Sequence, residues 1–168
     1  MSAPPPPSTR RVRVLAAGGT IAMSGKDGAS PALDVDDLLS MIDGLDSLEG
    51  ETVVNLPSAH LTPAHQLEIA KAARDAARRG IGVVVTHGTD ALEETAMLCD
   101  VLHDAEAPIV FTGAIRTATA PGADGPANLF DAVSVARSEE AAGMGVLVVF
   151  GGEIHHARCA RKTDTTSL

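Results

Sequence analysis

The chain of 168 residues has no tryptophan, no tyrosine and only three phenylalanines. Any mechanism that needs a phenolic hydroxyl from this chain is therefore excluded. Its two cysteines, Cys99 and Cys159, show neither a zinc spacing nor a disulfide framework. Cys99 falls in an apolar helical pattern and reads as a buried, inert thiol. No apolar run is long enough to span a bilayer, and the amino terminus lacks the apolar stretch of a signal peptide. The expectation is a cytoplasmic protein without membrane contact. Positive charge is sparse too: thirteen basic residues are scattered along a chain of formal net charge -9. That balance repels phosphate backbones, so no nucleic-acid partner is expected. There is no GxGxxG, GxxxxGK[ST] or HExxH pattern and no cluster of Cys and His, so no cofactor and no metal are expected. His155-His156 reads as an exposed loop pair.

What is present suits one globular domain: 45% hydrophobic and 21% charged residues, in a chain long enough to bury roughly 70% of its unfolded surface. Residues 1–10, with Pro4 to Pro7, read as a disordered leader, and residues 11–168 as an α/β domain. Val12 to Ala17 reads as a strand that runs into Gly18-Gly19-Thr20-Ile21. The segment from Ser24 to Pro31 has the composition of a mobile lid with Gly25 and Gly28 as hinges. Asp34 caps a short helix through Leu38, Leu39 and Ile42 that Gly44 ends. Thr52 to Leu56 is a second strand, followed by a loop at Ser58-Ala59-His60. Thr62 caps a helix from Pro63 to Arg79 that stops at Gly80.

Ile81 to Thr86 is a third, buried strand, and a helix follows from about Asp90 to Asp104. Between them lies Thr86-His87-Gly88-Thr89-Asp90, the stretch that organises the chain. It sits at the carboxyl end of a strand and the start of a helix, where open α/β sheets bind ligands. Asp90 and Thr89 would serve equally as a helix cap and a packing residue. Pro108 to Thr112 is a fourth strand, Ile115 to Gly125 a binding loop, Pro126 to about Ala142 a helix, and Gly145 to Phe150 a fifth strand. Periodicity ends at Glu153. The alternation predicts a doubly wound, mostly parallel sheet of about five strands, a flavodoxin-like three-layer sandwich with its motifs on one edge.

The loops at that edge bring hydroxyls together, Thr20, Ser58 and Thr89, with Asp90 and one plausible basic partner, Lys162. A hydroxyl is a poor nucleophile until its proton is removed, and a desolvated lysine can act as the base. Threonine, lysine and aspartate can thus carry acyl transfer without histidine. His87 is expected to hydrogen-bond its own loop.

Five stretches carry a likeness: Ala17-Gly18-Gly19-Thr20-Ile21-Ala22, Thr86 to Asp90 with Glu93-Glu94-Thr95, Gly113-Ala114-Ile115-Arg116, Ala123 to Leu129, and Lys162-Thr163-Asp164-Thr165-Thr166. Together they closely resemble the bacterial-type L-asparaginase family, from Val12 onward. The resemblance implies hydrolysis of L-asparagine, and L-glutamine on the side, to the acid and ammonia through a threonine acyl-enzyme. Thr20 matches the nucleophile. Thr89 and Lys162 match a second hydroxyl and its basic partner, and Asp90 the carboxylate that receives the α-ammonium. Ser58 matches the residue that holds the α-carboxylate, and the backbone at Gly88, Thr89 and Ala114 lines the amide pocket.

The chain departs from the family in two ways. Many members carry a lid tyrosine, for which Ser24, Lys26 or Ser30 would have to substitute here, and Ala59 follows Ser58 where some place glutamine or glutamate. Members are also about twice as long, with a carboxyl-terminal domain absent here, and form homo-oligomers, tetramers of intimate dimers. A fragment, a truncated product and a natural short form all fit that difference. The competing readings are a noncatalytic domain that binds an amino acid or serves in assembly, and the amidase subunit of a transamidation complex. An uncovered sheet edge from Val146 to Phe150 is expected to drive self-association.

Overall fold

The structure, a computed structural model, describes residues 10–24, 30–31, 33–42 and 48–165. The leader up to residue 9, Gly25, Lys26 and Gly28 of the expected lid, the helix stop Gly44, and Thr166 lie outside the described residues.

Among the described residues the strands are β1 (Val12–Gly18), β2 (Met23–Ser24), β3 (Ser30–Pro31), β4 (Leu48–Leu56), β5 (Gly82–Thr86), β6 (Ile109–Thr112), β7 (Val146–Phe150) and β8 (Glu153–His156). The helices are α1 (Val35–Leu39), α2 (Pro63–Ala77), α3 (Leu92–Leu102) and α4 (Gly125–Arg137). One sheet has the order β4-β1-β5-β6-β7-β8. Its neighbours are parallel except for β7 and β8, which are antiparallel. β2 and β3 pair separately.

The run Val83-Val84-Val85 is apolar without alternation because β5 is buried on both faces, as a central parallel strand must be. Val83 and Val85 pack with Leu15, Phe111, Ile69 and Ala96, on the side of α2 and α3. Val84 packs with Val14, Val110, Leu38 and Leu129, on the side of α1 and α4. Three layers result, as the alternation predicts.

Helix starts follow local chemistry. The Asp34 carboxylate accepts from the Asp37 N–H at 3.0 Å while Asp37 accepts from the Asp34 N–H at 3.1 Å, a reciprocal cap. Thr62 and His65 do the same ahead of α2, with Pro63 in its first turn. Helix ends were harder to read. α3 starts two residues later than expected and α4 ends at Arg137 rather than Ala142.

Two expectations are corrected. The sheet has a sixth strand: His155 and His156 belong to β8, not to a loop, and are exposed because β8 lies at the edge. β8 also covers β7, so Val146 to Val149 are buried and do not form a bare apolar edge. The large apolar side chain at that edge is Ile154, 57% exposed.

Numbered by their place in the chain, the five parallel strands run 2-1-3-4-5 across the sheet. The order reverses between β1 and β5. Crossovers leave these two neighbours in opposite directions, which opens a crevice at their carboxyl ends where ligands bind in such sheets. Thr20 follows β1 and Thr89 follows β5.

Candidate functional site

The two turns at the switch point are locked backbone to backbone. Gly19 has φ +82°, and a Cβ there would lie 2.2 Å from the Gly88 nitrogen. A Cβ on Gly88 would meet Ser58 Oγ at 2.4 Å and Gly19 Cα at 3.0 Å. Only glycine at both positions allows this approach. The Gly19 N–H also donates to the Leu56 carbonyl at 3.2 Å, which ties in the end of β4. Thr20 then opens a single 3-10 turn, half-buried, and no described residue hydrogen-bonds its hydroxyl.

Ser58 is buried in the turn after β4, and its Oγ accepts from the Asp90 N–H at 3.2 Å. Ser58, Gly88 and Asp90 are therefore in contact, with Gly19 against the same turn. Asp90 is not the cap of α3, since Ala91 precedes the helix and offers no side-chain cap. Its carboxylate faces Lys162 instead. Lys162 Nζ lies 2.8 Å from Asp90 Oδ1 and 2.9 Å from Thr89 Oγ1. The lysine side chain is 26% exposed and that of Asp90 63%. An amine at this distance from a hydroxyl can exchange a proton with it once it is unprotonated. The Lys162 N–H donates to Glu93 Oε2 at 2.7 Å, a contact without a signal in the sequence pattern.

A cavity of about 490 Å³ opens beside this contact, lined by Thr89, Glu93 and Lys162 over an apolar floor that includes Leu92, Val148 and Phe150. Thr20, Ser58 and Ala114 are not in its lining.

Ala114 is buried, and its loop is held by two side chains. Asp124 accepts from the Ile115 and Arg116 N–H groups, each at 2.9 Å. Asn128, buried in α4, donates to the Gly113 carbonyl at 3.0 Å and to Asp124 at 3.1 Å, and accepts from the Gly151 N–H at 3.0 Å. One carboxamide thus joins the ends of β6 and β7 to the start of α4.

His87 is fully buried, with Nδ1 2.8 Å from the Gly88 carbonyl, its own loop as expected, and its ring tilted on Phe111. Burial lowers its pKa, and Nε2 has no partner among the described residues. Cys99 is buried under α2, and burial pushes its thiol up to about 12. Such a thiol stays protonated and inert. Cys159 is exposed. Among the described residues no group of three His, Cys, Asp or Glu side chains could hold a metal ion. None of their helices is long and apolar enough to cross a membrane.

The chain is similar to known proteins over most of its length. The family model described as "Asparaginase, N-terminal" matches residues 11–168. A probable L-asparaginase of Deinococcus radiodurans is 41% identical over 97% of this chain and 51% of its own length. A probable periplasmic L-asparaginase of Haemophilus influenzae is 38% identical over 94% of this chain and 47% of its own length. The crystal structure of a probable cytoplasmic L-asparaginase from Campylobacter jejuni superposes with a TM-score of 0.86 at 34% identity, covering 95% of this chain and 50% of the other. The chain spans about half the length of these relatives.

Proposed function

The chain belongs to the asparaginase family, whose amino-terminal model it matches from residue 11 to residue 168, and from that premise we propose that it is the catalytic half of an amidohydrolase acting on L-asparagine. One observation carries the reading: Lys162 reaches Thr89 and Asp90 across 72 residues or more of chain to meet them at the switch point where Thr20 also sits. A surface lysine has no structural need for that position.

In this reading the Thr20 oxygen attacks the side-chain carboxamide carbon. Its proton passes to a base, and backbone N–H groups near Gly88, Thr89 and Ala114 face the developing oxyanion. Collapse expels ammonia and leaves an ester on Thr20. Water then attacks the ester, aspartate departs, and the threonine regains its proton. Lys162, held on Thr89, is the group that takes and returns the proton. Asp90 meets the substrate α-ammonium, while Ser58, whose oxygen already lies against the start of α3, meets the α-carboxylate. L-Glutamine has the same amide one methylene further out and is the second substrate. Assembly with further copies and a cytoplasmic setting complete the proposal, the latter supported by the Campylobacter jejuni protein.

The competing reading is a domain that binds an amino acid without hydrolysing it. What favours it is the Thr20 hydroxyl, which no described residue contacts. Ammonia release from L-asparagine and L-glutamine by the purified chain, beside Thr20→Ala and Thr89→Val, decides between them. Release lost in both variants supports the amidohydrolase. Binding of L-asparagine by calorimetry without any release supports the other.

A further inference from the structure

From the grip of α3 on Lys162 we infer that Glu93 is a positioning residue: it fixes the main chain of Lys162 so that Nζ reaches Thr89 and Asp90. Lys162 lies in no helix or strand, and its neighbours Arg161 and Thr163 are exposed. The residue therefore has little packing to set its course. Its N–H donates to Glu93 Oε2 at 2.7 Å, a charge-assisted bond, while Nζ lies 2.8 Å from Asp90 Oδ1. Asp90 lies two residues before α3 and Glu93 is the second residue of that helix, so both carboxylates reach Lys162 from the start of α3. One carboxylate holds the lysine by its tip and the other by its backbone. Glu93 is half-buried in the wall of the cavity. The adjacent Glu94 is exposed and makes no such contact among the described residues. Lysine has four rotatable side-chain bonds, so a main chain free to drift would spread Nζ over many positions and lose the proton-transfer geometry.

The inference rests on the proposed hydrolysis for its catalytic meaning but not for its geometry, and the test separates the two. In the full chain, Glu93→Asp keeps the charge and shortens the reach, whereas Glu93→Gln keeps the reach and an accepting oxygen without the charge. Glu94→Ala is the control. Competitive acetylation read by mass spectrometry reports how well Nζ of Lys162 is held, and ammonia release gives kcat and KM. With Glu93→Asp the labelling of Lys162 should rise about tenfold and kcat fall about tenfold at nearly constant KM, the scale of one lost charged hydrogen bond. Glu93→Gln, which keeps a weaker neutral hydrogen bond, should fall between, about threefold from the parent on both readouts, and Glu94→Ala should stay within about twofold. Unchanged Lys162 labelling in Glu93→Asp, or equal impairment by Gln and Asp, overturns the positioning role. A parent chain that releases no ammonia overturns the hydrolase reading alone, and the labelling contrast still decides the anchor.

Discussion

The turns after β1 and β5 share one local recipe, a buried parallel strand, then glycine, then threonine, yet they leave their hydroxyls in opposite situations. Thr89 is met by an amine 73 residues later in the chain. The Thr20 hydroxyl has no hydrogen-bond partner among the described residues. Sequence makes the two threonines look like duplicates, and topology makes them different. The turn after β5 leads directly into α3, whose first residues are in place to collect Lys162. The turn after β1 leads into β2. A hydroxyl engaged by a lysine suits proton transfer, whereas an unpartnered one attacks only once a base is brought to it.

The sharpest way to break this contrast is to exchange the roles by mutation. Thr20→Ala should lower kcat for L-asparagine by at least about 10⁴-fold, the scale of a lost nucleophile. Thr89→Val and Lys162→Met should each cost about 10³-fold, and the pair together hardly more, because they act as one unit. Steady-state ammonia release measures all four. A Thr89→Val variant worse than Thr20→Ala would assign the attack to Thr89 and reverse the comparison.

Next in size is the lock between the turns. Gly19→Ala would press a methyl group onto the Gly88 backbone at a positive φ and should destabilise the chain by about 3 kcal/mol. Gly80 also has a positive φ, +75°, but a Cβ there meets nothing within 4 Å. Gly80→Ala should therefore cost about 1 kcal/mol, the backbone term alone. Urea unfolding of the two variants shows whether the close approach or the dihedral dominates.

The same contrast explains what was legible in advance. The parallel core strands, the caps at Asp34 and Thr62 and the stop at Gly80 follow from short-range pattern and backbone chemistry, and these stand. β8 was missed because an edge strand carries no apolar alternation: Glu153, His155 and His156 face solvent, and Ile154 alone gives no period. α3 and α4 end where His103 and Ser138 take extended backbone, ψ 128° and 139°, a change of direction that the pattern of side chains does not mark. Thr20, Ser58, Thr89 and Asp90 could be singled out as residues that follow strands or open helices. Lys162 stands out in the sequence as the one plausible base for these hydroxyls, but its contacts with Thr89 and Asp90 do not, since no spacing encodes a contact made by tertiary folding. Glu93 and Asn128 act through backbone groups of distant residues and leave no periodic trace.

Asn128 gives the next, smaller effect, on the far side of the crevice. Its amide joins Gly113, Asp124 and Gly151, so Asn128→Ala strands a buried carbonyl and a main-chain N–H. A loss of about 2 kcal/mol follows from uncompensated buried polar groups. Hydrogen exchange should quicken at residues 113–116, beside Ala114, and remain unchanged at Thr89 if the two sides of the crevice are independently held. Matching acceleration at Thr89 would mean that they are one cooperative unit.

The smallest effect distinguishes two histidines. His87 is buried behind the turn after β5 with its pKa lowered by burial, while the Gly88 carbonyl raises it less. His103, at the end of α3, is also lowered by burial, but Asp100 and Asp104 pull it back up. A histidine whose pKa is lowered in the folded chain takes up its proton more readily when unfolded. Its contribution to stability is therefore full above the ordinary value of about 6.5 and is lost as the pH falls from there through the folded value. One such group gives a slope of at most about 1.4 kcal/mol per pH unit. His87→Gln should remove more of the acid-side slope than His103→Gln, because carboxylates stand beside only the second ring. Denaturation midpoints between pH 7 and pH 5 test the order. An equal loss of slope in the two variants would mean that water reaches His87 behind the turn, and that the backbone lock between Gly19 and Gly88 opens at rest.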